Sequence, residues 1–166
     1  MSSTAKLTAE QIENLAKEIR EFLLEHGLWQ DVDIYFNGKR FTQHDPVTGK
    51  YYYNDREHLI EEENQDPRTY FEYVNPDHIL SMSFEGPVCE MLYYGILPSV
   101  RREFDKIFER YGLYYEFGHH WNFSCYYILE RSRHNEYRSG SIKGKRNQSA
   151  VTVKRLDGLR VCCKQR

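Results

Sequence analysis

The stretch Val32-Asp33-Ile34-Tyr35-Phe36, Asn37-Gly38, Lys39-Arg40-Phe41-Thr42 leaves the chain less freedom than any other. Asn-Gly supplies the two positive φ angles of a tight primed turn, so its flanks pair as an antiparallel hairpin. A helix precedes it. Thr8-Ala9-Glu10-Gln11 has the form of a capping box, and Ile12, Leu15, Ile19, Phe22 and Leu23 recur at helical spacing until His26-Gly27 ends the run. A hairpin beside an amphipathic helix needs more strands before it can bury a core, and the sequence offers them.

Asp45-Pro46-Val47-Thr48-Gly49 is a turn leading into the strand-like Lys50-Tyr51-Tyr52-Tyr53, and His78 to Phe84 reads as a strand. Glu85-Gly86-Pro87 opens a helix with Pro87 at its first helical position, and Pro98 is expected to interrupt that helix after Leu97. A second helix follows from Ser99, its stripe of Val100, Phe104, Ile107, Phe108 and Tyr111 stopped by Gly112. Leu113 to Leu129 is the last core element. The expectation is one α+β domain: an N-terminal helix, an antiparallel sheet of about five strands, and a helix pair before the last strands. With 14 Tyr and 9 Phe among 166 residues, its core is built from rings, and tyrosine hydroxyls suit a wide contact face.

Charge divides the chain in two. Residues 1 to 130 hold 12 Lys+Arg against 23 Asp+Glu, whereas residues 131 to 166 hold 11 against 2. An acidic body, 1–130, therefore carries a basic C-terminal arm or short hairpin, 131–166, a layout suited to a polyelectrolyte or to a partner with a charged groove. The basic Gly/Ser stretch with Lys143, Lys145 and Arg146, extended by Arg131, Arg133 and Arg138, can contact phosphates without fixed geometry. It has neither a groove-reading helix nor an RNP-type aromatic pattern. The acidic run Asp55 to Asp66, with Glu57, Glu61, Glu62, Glu63 and Asp66, reads as an exposed loop or solvated helix face able to meet a basic partner.

The stretch Phe117-Gly118-His119-His120-Trp121-Asn122-Phe123-Ser124-Cys125 has the residue types of a catalytic or metal site. Read as one strand, period two places His119 on an apolar face and His120 with Glu116 on the other, so the two imidazoles cannot share an ion without a bend at Gly118. If Gly118-His119-His120 forms a hairpin loop, both rings sit at its tip. General acid–base cleavage of RNA would draw on Glu116, His119 and His120, with His120 and Glu116 the pair to mutate. A core His119 and a surface His120 are the structural alternative. No metal site and no cofactor is expected, since paired ligands at zinc spacing are missing. Glu85 at a helix mouth fits either a catalytic acid or a favourable helix-end charge. Four cysteines without a framework spacing indicate a reducing, cytoplasmic setting, and no run is apolar enough to span a membrane.

The segments YFEYVNPDHILSMSFEGPVCEMLYYG and FDKIFERYGLYYEFGHHWNFSCYYI, between Tyr70 and Ile128, resemble small proteins of Firmicutes mobile elements and phages, the gene neighbourhood of anti-CRISPR inhibitors. The resemblance covers about a third of the chain and carries over no catalytic residue. It implies a protein acting inside a bacterial host cell against a nucleic-acid-targeting defence. The leading expectation is an inhibitor that binds a CRISPR effector nuclease and its guide RNA through acidic body and basic arm. A small ribonuclease cutting a structured or guide RNA is the second, and an RNA-binding accessory protein of a mobile element the third.

Overall fold

A computed structural model describes residues 6–128. The basic arm, with Arg131, Arg133, Arg138, Lys143, Lys145 and Arg146, lies outside the described residues. Helix α1 (Ala9–Glu25) starts where the capping box indicates: the Thr8 hydroxyl accepts from the Gln11 N–H, and the Gln11 side chain accepts from the Thr8 N–H. Strands β1 (Val32–Phe36) and β2 (Lys39–Thr42) form the expected hairpin, with Asn37 and Gly38 at φ 49° and 74°. There follow β3 (Ile60–Glu63), a 3₁₀ turn at Pro67–Thr69, β4 (Leu80–Phe84), α2 (Gly86–Leu92), α3 (Pro98–Arg110), β5 (Leu113–His119) and β6 (Asn122–Tyr127).

The six strands form one antiparallel sheet in the order β3-β2-β1-β4-β6-β5. All three helices contribute to the core on one face, where Leu15, Ala16, Ile19 and Leu23 of α1 meet Ile34, Phe41, Met82 and Phe84 of the strands. Rings dominate the far side of this layer: Phe108 of α3 lies 5.1 Å from Tyr115 and 5.7 Å from Phe123, which stacks on Tyr115 at 4.5 Å. The other face is polar and is crossed by residues 64–79. Phe71, 6% exposed, meets Tyr35 and Trp121 edge-on there, and the buried Ser81 and Ser124 hydroxyls of the same face bond at 2.8 Å. No helix among the described residues is long and apolar enough to cross a membrane.

Four expectations are corrected. The acidic run is neither loop nor helix throughout, because β3 forms inside it and pairs with β2. Residues 50–53 are not a strand. Tyr51 makes an isolated bridge to His44, since the Gln43 side chain turns inward and pairs with both main-chain groups of Val32 at 2.9 and 2.6 Å. Pro98 does not interrupt a helix: α2 already ends at Leu92, Gly95 and Leu97 turn the chain at positive φ, and Pro98 begins α3. Leu113 to Leu129 is not one strand but the β5-β6 hairpin, turning at His120-Trp121 with a bulge between Phe117 and His119.

Candidate functional site

The bulge reassigns the histidines. Up to Phe117 the pairing alternates as period two requires, with Tyr115 opposite Cys125 and Phe117 opposite Phe123 on the helix side. Gly118 is the extra residue, so His119 comes to lie opposite Asn122 instead. Asn122 pairs with Ser83, and Ser83 with Asp33, which puts His119 on the polar face. Glu116 lies on that same face, opposite Ser124. His119 stacks parallel on Trp121 at 5.3 Å and takes the edge of Tyr73 at 5.1 Å. His120 is on the helix side, 5.7 Å from the Tyr93 ring, and its carbonyl accepts from the Cys89 thiol at 3.5 Å. The pairing of His120 with Glu116 is therefore overturned in favour of His119. Neither a core His119 nor two rings at a loop tip describes the hairpin. A cavity of about 320 Å³ opens beside Glu116 and Gly118, walled by Tyr73 and Tyr126.

The acidic run is less available than its composition suggests. Glu61 and Glu63 both reach Lys39, Glu62 is held by Arg40, and Asp66 is held by Arg68. Bonds from the Arg68 side chain and N–H draw the Asp66 carboxyl down to about 2. Glu57 is exposed and, among the described residues, has no Lys or Arg ion pair. The run closes on its own neighbours because β3 lies against a strand that begins Lys-Arg.

A mixed cleft of about 410 Å³ on the polar face was not legible as a site in the sequence. Its walls come from the start of β1, the end of β2, the end of β4 and the β5-β6 turn. Asp31, Asp33, Arg40, His44, Ser83 and Glu85 line it together with the rings of Tyr51 and Trp121. Arg40 is shared between Glu62 and Asp33, the latter at 3.6 Å, and lies 5.2 Å from the Tyr70 ring. Burial opposes its charge, but the bonds to Tyr35 and Glu62 prevail and hold the guanidinium above its usual pKa. For Asp33 burial wins. The carboxyl is raised from its ordinary value by burial, although Thr42 and Arg40 both favour its ionised form. Asp31 accepts from the Tyr53 hydroxyl at 2.6 Å, which pushes that phenol up to about 12. Glu85 caps α2 without a side-chain bond, leaving its carboxylate to the cleft.

The cleft thus sets three carboxylates against one guanidinium already committed to Glu62, beside an indole. Such a surface suits a lysine or arginine side chain, by charge and by the ring face together. Cys125 is buried, and burial raises its thiol. Among the described residues no three His, Cys, Asp or Glu side chains are grouped to hold a metal ion. No protein-family model matches the chain, and neither a curated protein nor a solved structure matches it.

Proposed function

We propose that the chain is a non-enzymatic inhibitor of a bacterial nucleic-acid-targeting defence system. Its acidic body seats against the basic channel of an effector nuclease of the CRISPR type, and its basic segment contacts the guide RNA. The observation that supports this reading is where the cations go. Residues 6–128 hold 12 Lys+Arg against 22 Asp+Glu. Seven of the twelve, Lys17, Lys39, Arg40, Arg56, Arg68, Arg101 and Arg110, are consumed in ion pairs within the fold. The surface left over is acidic, and the cleft at Asp31, Asp33 and Glu85 is where a partner's lysine or arginine would enter. Glu57 adds to this surface from the acidic run, whereas Glu61, Glu62 and Asp66 are spent internally.

The test titrates the full-length protein into a guide-loaded effector with labelled target DNA and labelled guide, resolved on a denaturing gel. The expected result is lost DNA cleavage with intact guide, and weaker inhibition by Asp31→Asn/Glu85→Gln. Effectors that cleave normally at saturating protein would overturn it. A ribonuclease reading is favoured by one observation, the bulge that brings His119 onto the sheet face of Glu116, which itself lines a cavity. Guide that is shortened by the wild type and left whole by Glu116→Gln or His119→Ala would establish that reading instead.

A further inference from the structure

The N–H of Ile128 donates to the carbonyl of Gly112 at 3.1 Å, so the chain leaves the described residues beside the C-terminal end of α3. Residues 129–166 hold 11 Lys+Arg against 3 Asp+Glu. At the same end of α3, Arg110 pairs with Glu18 of α1, and the Tyr111 hydroxyl donates to Glu18 at 3.1 Å. A groove of about 450 Å³ runs from here between α1 and α3. The helices are antiparallel along it: Glu18 meets Arg110 at one end, and His26 Nε2 lies 3.8 Å from Glu103 at the other.

The groove is short of positive charge. Glu18, Glu21, Glu25 and Glu103 line it against Lys106 and Arg110. Glu18 is held by Arg110 and Glu21 by Arg56, which leaves Glu25 and Glu103 exposed with no Lys or Arg ion pair among the described residues. Both lie toward the end away from the chain exit. Phe22, its ring stacked on His26 at 4.2 Å, also lines the groove and adds apolar surface for the stem of an arginine.

We infer that the basic segment following Ile128 docks in cis in this groove, with Arg131 and Arg133 at Glu25 and Glu103. Lengths agree. From Arg110 back to Glu103 the helix advances ~10 Å at 1.5 Å per residue. A fully extended chain covers at most ~3.3–3.6 Å per residue, so Arg131 can reach up to ~10 Å beyond Ile128 and Arg133 up to ~17 Å. So short a tether holds the arginines at an effective concentration of roughly millimolar, which favours the chain's own segment over that of a second copy. A polyanion that takes up Arg131 and Arg133 must first displace them from the groove, so the acidic body weakens their contact with nucleic acid by competition. This inference stands apart from the proposed function, because docking needs no partner.

The test is limited trypsin digestion of the full-length protein at low ionic strength, read by intact mass. Cleavage after Arg131 and Arg133 is expected to be at least about tenfold slower than after Lys143, Lys145 or Arg146, since cleavage follows the population of the released state. Glu25→Gln/Glu103→Gln should abolish the protection, as should salt of about 0.5 M. Glu57→Gln/Glu72→Gln, an equal change of charge elsewhere, should leave it intact. Equal cleavage rates at all five sites in the wild type overturn the inference, as does protection that survives the groove substitutions. Protection that grows with protein concentration overturns it too, because a second copy would then supply the segment. The substituted glutamates are exposed, and an unchanged thermal transition in the double variant confirms that altered cleavage is not unfolding.

Discussion

Gly118 decides which side of the sheet receives an imidazole. A Cβ built there would lie 2.9 Å from Asn122 Nδ2 and 3.2 Å from its Oδ1. Asn122 is 1% exposed, and its Oδ1 accepts from the His119 N–H at 2.7 Å, so the amide that would have to move is the one that holds the bulge. Gly118→Ala is therefore expected to lower stability by ~1–3 kcal/mol, measured by denaturant unfolding. A midpoint equal to the wild type would show that the bulge does not depend on the missing side chain. Asp33 makes a second prediction. Its pKa is raised in the folded state, by burial first, so its favourable contribution is complete below the ordinary carboxylate range and is lost as pH rises through the raised value. Asp33→Asn should raise Tm at neutral pH and bring no gain at about pH 3, where aspartate is already protonated in both states. Arg40 keeps Glu62 as its partner in that variant.

At the level of elements, local rules account for α1, the β1-β2 hairpin, β4 and α3, each marked by a cap, a turn dipeptide or a periodic stripe. Thr8→Ala should cost ~1 kcal/mol by removing one half of the capping box, read from the denaturant midpoint. Phe104, buried against Phe108 and Phe123, should cost ~3–5 kcal/mol as Phe104→Ala. The elements that local rules did not disclose depend on distant partners. Ile60–Glu63 is four residues with three glutamates, and its partner across the ladder, which brings Lys39 and Arg40 to those glutamates, lies about twenty residues back in the chain. The β5-β6 turn is two residues, His120-Trp121, with none of the usual turn glycines at its tip, so an unbroken strand was the natural reading. The cleft was illegible for a related reason: Asp33, Arg40, Ser83 and Trp121 come from separate strands and a turn, and no spacing along the chain joins them. The Glu116 and His119 pair differs by one residue from the expected pair, which is what one bulge does to period two.

Across the whole molecule, the sheet separates a ring-filled layer under the helices from a polar face roofed by residues 64–79. Charge is separated along the chain as well, and it acts at long range. If a cationic partner binds the body, raising salt from about 0.05 to 0.5 M should slow association about tenfold or more and change dissociation much less, as read by surface plasmon resonance. An association rate indifferent to salt would place recognition on uncharged surface, such as the exposed Tyr93, Tyr94, Ile96 and Leu97. The two rims of the sheet also differ in kind. β3 is short and carries Glu61 and Glu63, while β5 runs seven residues with one acid and, among the described residues, no neighbour on its outer side. A sheet with one guarded rim and one open rim can extend only once. Pairing through β5 would use the same rim on both copies and stop at a closed two-fold dimer, whereas a growing filament would need β3 to accept β5 at every step.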